Sequence, residues 1–425
     1  MTIPRSVLVF LFGAALFGTG CRAPLDNATV GDSPGRRKPP ELPGEHWLVK
    51  IAAADFDRAG EVVTFAVPKG VPTGPLALWD AWGDRQPVPL QMDNQGQATG
   101  FIPFQKAGET LTYALHPLPK ETMAATVTRE NGRLRLDVNG QPVCYYQMDL
   151  APPPREGIDQ KIWRGAFLYP IYTPKGVQIS DTYPADHPHD HGIWTAWASS
   201  YFQGRHVDFW NPHYAYGGTV TFAGLDRMWD GPVDAGFEAR HQFMDRTVSP
   251  PVAALDETWR VKLFAATGLP ARMFDLEFTQ TPATNDPLEV QKYTYGGLGV
   301  RGHAEWEEKS DLWVLTSEGA TNRVKANNQP ARWFFMGGNV VGQPAGIAVL
   351  CDPANFRAPQ TVRMNPDGPF FMYAPVINAG FTITKTQPYV ARYRFIVQDG
   401  KPDAKFLDAC WQGFAYPANA TVITP

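Results

Sequence analysis

Glycine and proline punctuate this chain so closely that long helices have little room. The 425 residues include 39 Gly and 40 Pro, about 19% of the total, where an ordinary protein carries ~12%. Between these breakers lie short runs with alternating apolar side chains, such as Glu61-Val62-Val63-Thr64-Phe65-Ala66-Val67 and Thr110-Leu111-Thr112-Tyr113-Ala114-Leu115. Period-two alternation bounded by turn residues is the pattern of strands with one buried face. No amphipathic helix longer than about ten residues and no repeat of 20–50 residues is evident. The 13 Trp, 15 Tyr and 25 Phe supply ample material for burial, which excludes a disordered chain. A net charge of −4 without a basic stripe argues against nucleic acid as a partner.

The first twenty residues read as an export signal. Arg5 gives a positive start, and Val7 to Phe17 form an apolar core too short for a bilayer, which takes about 20 residues. Gly18-Thr19-Gly20-Cys21 then places small residues before a cysteine, as in a bacterial lipobox, so lipidation at Cys21 is expected. The mature protein is expected outside the cytoplasm, touching membrane only through that anchor. Residues 21–45, with five prolines, read as a tether.

Residues 46–123 are expected to form a small β-sandwich module, and 124–425 a large one. Two Asn-Gly pairs, Asn131-Gly132 and Asn139-Gly140, separate three strand-like runs between Thr126 and Tyr146, and type I′ hairpin turns favour this dipeptide. Further strands are expected at Thr258–Phe264, Arg272–Phe278, Leu312–Leu315, Ala345–Leu350, Phe381–Thr384 and Tyr389–Val397. The expected class is all-β, a large antiparallel β-sandwich preceded by a small one, with function on the long loops. Cys144, Cys351 and Cys410 lie far apart in sequence and read as buried small hydrophobes, one disulfide remaining open.

Six of the nine histidines fall between 187 and 241, and three of them crowd into Asp186-His187-Pro188-His189-Asp190-His191. In extended backbone, alternate side chains share a face ~6.5–7 Å apart, so His187, His189 and His191 are expected to converge. Converging imidazoles can move protons near neutral pH or bind sugar hydroxyls. They can also hold a divalent metal, each ring oriented by a carboxylate, or simply satisfy one another in a structural loop. Acid-base work is the reading taken forward, with cofactors unknown and a metal not favoured.

Glu238 and Arg240 share a face if they lie on a strand, and a carboxylate beside a cation suits acid-base work or an anionic sugar. Tyr295 and Arg301 stand in a similar stretch. Aromatic residues crowd the histidine region, among them Trp194 and Trp210, and sugar rings stack on such side chains. The candidate catalytic residues are His189, His191 and Glu238. The candidate substrate-binding residues are His187, Trp194, Asp208, Trp210, Arg240, Tyr295 and Arg301, with a carbohydrate as the expected partner.

Several segments together resemble the bacterial PmoA-like family of secreted proteins. These are Tyr169-Pro170-Ile171-Tyr172, Asp186-His187-Pro188-His189 with Gly192-Ile193-Trp194, Val207-Asp208-Phe209-Trp210, Gly297-Leu298-Gly299-Val300-Arg301, and Asp352-Pro353-Ala354-Asn355. The resemblance spans roughly 125–417 and departs from the family at Asp190-His191, where His-Arg or His-His is usual. It implies an exported protein of glycan-degrading bacteria on a galactose-mutarotase-like super-sandwich, whose enzymes use histidines and carboxylates on sugar carbons. Non-catalytic glycan binding and a metal-dependent enzyme using His187, His189 and His191 stand as alternatives.

Overall fold

The computed structural model describes residues 47–423, apart from 72–73, 81–84, 119, 121, 151–152, 154–155 and 308–310. The predicted export signal, Cys21 and the tether lie outside these residues. Within them the chain is almost entirely antiparallel β-structure, as the alternation and the turn residues imply.

The small module is a seven-stranded sheet in the order Arg58–Ala66, Gln97–Gln105, Val88–Met92, Leu76–Asp80, Leu111–Pro117, Leu48–Ile51 and Ala420–Ile423. It closes over Val49, Ile51, Val63, Phe65, Leu78, Leu90, Ile102 and Tyr113. Its edge strand comes from the far end of the chain: Leu48 stands opposite Ile423, and Ile51 opposite Ala420.

The large sandwich packs a nine-stranded sheet on an eight-stranded one. Both hairpins predicted from Asn-Gly are present, joining Ala125–Glu130, Arg133–Val138 and Gln141–Gln147. Asn131, Gly132, Asn139 and Gly140 all take positive φ, which the type I′ turn requires. The eight-stranded sheet runs Thr219–Trp229, Asp234–Asp245, Val252–Phe264, Ala271–Pro282, Tyr389–Asp399, Gln343–Cys351, Trp333–Val340 and Trp313–Thr316. Phe237, Trp259, Leu276, Phe334 and Tyr393 face inward from it, meeting Leu136, Tyr146, Ile193 and Phe371 of the other sheet. Four shorter strands, including Ser200–Phe202 and Leu288–Val290, extend the same core.

One helix, Ala404–Ala415, departs from the helix-poor expectation. Asp403 caps it by accepting from the amides of Lys405 and Phe406, and Leu407, Cys410, Trp411 and Phe414 share one buried stripe. That stripe packs with Ala59 and Phe101 of the small module against Phe264, Trp333 and Phe335 on the outer face of the eight-stranded sheet. Cys144, Cys351 and Cys410 are buried free thiols, so the disulfide left open by the sequence does not form among them.

The core also holds a polar chain. The Tyr146 hydroxyl meets His241 Nε2 at 2.6 Å, and His241 Nδ1 meets Glu257 Oε2 at 2.8 Å. Glu257 also accepts from Thr195 Oγ1 at 2.9 Å and Gln280 Nε2 at 2.7 Å, while Gln280 takes the indole N–H of Trp197. Glu257 and His241 are fully buried, so these hydrogen bonds offset the cost of removing them from water.

Candidate active site

The histidine loop opens on a hollow of about 930 Å³ at the edge of the large sandwich. Its local shape follows from Pro188. His187-Pro188-His189-Asp190 is not an extended run but a β-turn, closed by the Asp190 amide donating to the His187 carbonyl at 2.9 Å. Proline is favoured at the second position of such a turn because its φ is already set. The turn puts His187 and His189 together on the hollow, ring centres 5.8 Å apart, and His213 follows 5.5 Å beyond His189.

His191, beyond the turn, faces the other way. It is fully buried, stacked on Phe167 at 4.4 Å and hydrogen-bonded through Nδ1 to Thr182 Oγ1 at 2.9 Å. The expected convergence of His187, His189 and His191 on one point therefore does not occur. Among the described residues, no group of three or more His, Cys, Asp or Glu side chains is arranged to hold a metal ion.

His187 carries the clearest catalytic geometry. Its Nδ1 lies 2.6 Å from Asp186 Oδ2. A carboxylate only accepts, so the neutral ring keeps its proton on Nδ1 and presents a lone pair at Nε2. Beneath this pair sits Arg301, with no exposed side-chain surface. Its guanidinium reaches Asp186 at 3.2 Å and Asp190 at 3.3 Å, and it also bonds Glu307. Burial acts to raise the Asp186 pKa, yet the His187 hydrogen bond and the Arg301 charge bring it below the usual carboxylate value. Asp190 is wholly enclosed, and burial lifts it to about 7 despite Arg301. Burial, together with neighbouring His187 and His213, pulls His189 down to about 3, so its ring is neutral at neutral pH. His191 is likewise driven well below its ordinary value by burial.

Aromatic rings build the opposite wall. Trp210, Tyr214, Tyr293, Tyr295 and Phe370 line the hollow. Trp210 is shaped by Asp208, whose Oδ1 accepts from the amides of Trp210 and Asn211 and whose Oδ2 accepts from the Asn211 side chain, each at 2.8 Å. Asp208 is thus a buried loop former behind the hollow. Trp194 lies beneath Trp210, ring centres 5.0 Å apart, with no exposure. Its indole covers Gly299, where a Cβ would come within 2.8 Å of the ring.

Of the ten candidate residues, the structure brings His187, His189, Trp210 and Tyr295 to the hollow. Asp208, His191, Trp194 and Arg301 sit behind or beneath it, in supporting rather than contacting positions. Glu238 and Arg240 are elsewhere. They lie on the solvent face of the eight-stranded sheet, while Phe237, Ala239 and His241 turn into the core. Glu238 stands in register between Arg227 and Arg260, and Arg260 in turn faces Glu277, which faces Arg392. This is a charge ladder across five strands. Arg240 pairs with Asp226 at 2.8 Å.

Several residues of the hollow are not marked by any local sequence pattern. Glu156 and Asp159 come from a loop after a proline run, and Phe370 from a strand 180 positions beyond the histidines. His213 could have been found from the histidine clustering alone.

The sequence profile of a family of unknown function, DUF6807, matches residues 133–412. The chain belongs to DUF6807. The matched stretch takes in the whole histidine turn, the Asp208–Trp210 wall, Tyr295 and the Arg301 hub, so the hollow is a feature of the DUF6807 region itself. No curated protein matches the chain.

Proposed function

We propose that the DUF6807 region is a carbohydrate-active enzyme using His187 and Asp186 as its proton-transferring pair. The observation that carries this reading is the 2.6 Å His187–Asp186 contact at a hollow walled by aromatic rings. A carboxylate-oriented imidazole whose Nε2 is free can take a proton from a sugar hydroxyl or from the carbon beside a carbonyl, which suits hydrolytic or eliminative chemistry. Flat rings such as Trp210 and Tyr295 offer the faces on which pyranose CH surfaces stack. His189, neutral at working pH, serves as a hydrogen-bonding group for hydroxyls. Glu238 has no part in this version. The resemblance to secreted PmoA-like proteins and the predicted lipidation at Cys21 support a substrate met outside the cytoplasm.

A specific feature favours a second reading, sugar binding without turnover. The His189 ring is held neutral and lines the hollow beside His213, which suits hydrogen bonding to hydroxyls. One experiment separates the two. Depolymerised plant and algal glycans are incubated with wild type, His187→Ala and Asp186→Asn, and products are followed by mass spectrometry. Loss of the base should lower turnover by roughly 10²–10⁴-fold with the melting temperature nearly unchanged. Retention of glycans with no product from wild type supports the binding reading, and a His187→Ala protein as active as wild type removes the catalytic one.

A further inference from the structure

The charges around the hollow are unevenly distributed. Glu156, Asp159 and Asp186 line it, and among the described residues no lysine or arginine does. Two arginines stand behind that lining: Arg301 is fully buried and already spent on Asp186, Asp190 and Glu307, and half-buried Arg363 lies 5.3 Å from the centre of the Tyr295 ring and donates to its hydroxyl. Three carboxylates around one guanidinium leave the cluster with surplus negative charge even when Asp190 is protonated. The rest of the wall is aromatic, and a ring face is the negative side of its quadrupole. The carboxylates and the ring faces not already covered by Arg363 on Tyr295 or Arg301 on Phe370 attract a cation and repel an anion.

From this juxtaposition we infer that the hollow selects a positively charged ligand, a saccharide bearing a protonated amine, over neutral or acidic sugars. The inference rests on the saccharide reading above. An ammonium on the bound sugar meets the Tyr293 and Tyr295 faces from one side and the carboxylate rim from the other. A uronate would bring a fourth carboxylate against Glu156, Asp159 and Asp186, with no lysine or arginine among the lining residues to receive it.

The test is calorimetric binding to the whole protein at pH 7 and low salt. The probes are a tetramer of glucosamine, its N-acetylated counterpart and a galacturonate tetramer, with choline beside its neutral isostere 3,3-dimethylbutanol. The expected result is a preference of about tenfold for the glucosamine tetramer over the acetylated one, shrinking with added salt, and no measurable uronate binding. Choline should likewise outbind its isostere. In a Tyr293→Leu, Tyr295→Leu double variant both preferences should fall several-fold, and preferences unchanged in that variant would place the cation elsewhere and overturn the inference. Equal or tighter binding of the uronate also overturns it, leaving the saccharide reading intact. If no saccharide binds yet choline still outbinds its isostere, the charge inference stands and the saccharide reading fails. If neither pair is discriminated, the inference falls.

Discussion

Arg301 and Asp186, 115 positions apart in sequence, meet at 3.2 Å beneath the histidine turn. The contact ties the strand Gly296–Arg301 to the loop that carries His187, and the same guanidinium holds Asp190. Removing the arginine strands a carboxylate with no exposure. Arg301→Met is therefore expected to cost about 3–5 kcal/mol, the range for breaking a buried ion pair. Urea unfolding measures it, and a loss under about 1 kcal/mol would show that the hub is not a structural requirement.

Acid should destabilise the fold in a defined window. The His189 value is about 3 in the folded chain, below the ordinary 6.5, and His191 and His241 are also lowered by burial. Between those limits the unfolded chain binds protons that the folded chain refuses, so the histidine contribution is complete above about 6.5 and is lost as pH falls. Asp190, raised to about 7, acts with opposite sign between about 4 and 7, and Glu61, Asp208 and Glu307 are raised by burial as well, so the histidine effect is read by difference between variant and wild type. The expected slope is ~1.4 kcal/mol per pH unit for each unbalanced proton. Denaturation midpoints from pH 4 to 8 check this, with His189→Gln giving a shallower fall. A His189→Gln profile parallel to that of the wild type below pH 6.5 contradicts the assignment.

Glu257 is the acceptor on which three core side chains depend: Thr195, His241 and Gln280. Glu257→Ala leaves all three without their partner inside the sandwich. A loss of about 3–5 kcal/mol is expected, whereas ligand binding at the hollow should be preserved in whatever fraction remains folded. Chemical denaturation paired with calorimetry reads both, and a mild variant would mean that the core can rehydrate the site.

The charge ladder predicts the reverse. Arg240 and Asp226 are about half exposed, and Glu238 faces Arg260 at 3.5 Å on the same solvated surface. Glu238→Ala and Arg240→Ala should each shift stability by less than about 1 kcal/mol and leave turnover at the wild-type rate. A large loss of turnover in Glu238→Ala would return that carboxylate to the chemistry.

What the sequence reveals and conceals follows from the range of the forces involved. The hairpins at Asn131-Gly132 and Asn139-Gly140 are legible because positive φ is a local demand met by local residues. The strand Ala271–Pro282 is legible because its alternation is long. The helix Ala404–Ala415 is harder to see: its apolar stripe is short and acquires its meaning only when the small module arrives to cover it. At the site, clustering of histidines marks the right loop, but a single proline decides its geometry. Read as a strand, the loop aligns His187, His189 and His191. As a turn, it separates His191 from the others. Glu238 and Arg240 look catalytic in isolation because their neutralising partners, Arg227, Arg260 and Asp226, come from other positions in the sheet. Arg301 looked like a ligand contact for the same reason, since three carboxylates from two other segments had already claimed it.

The pairing of Leu48–Ile51 with Ala420–Ile423 has a consequence for biogenesis. The module nearest the amino terminus, although made early, cannot finish its sheet until Ala420–Ile423 has been made. A chain truncated before Ala420 would present Leu48–Ile51 as a bare edge, a template for the next unfinished copy. Synthesis of Ala420–Ile423 thus acts as a checkpoint on the module, with that strand serving as its latch.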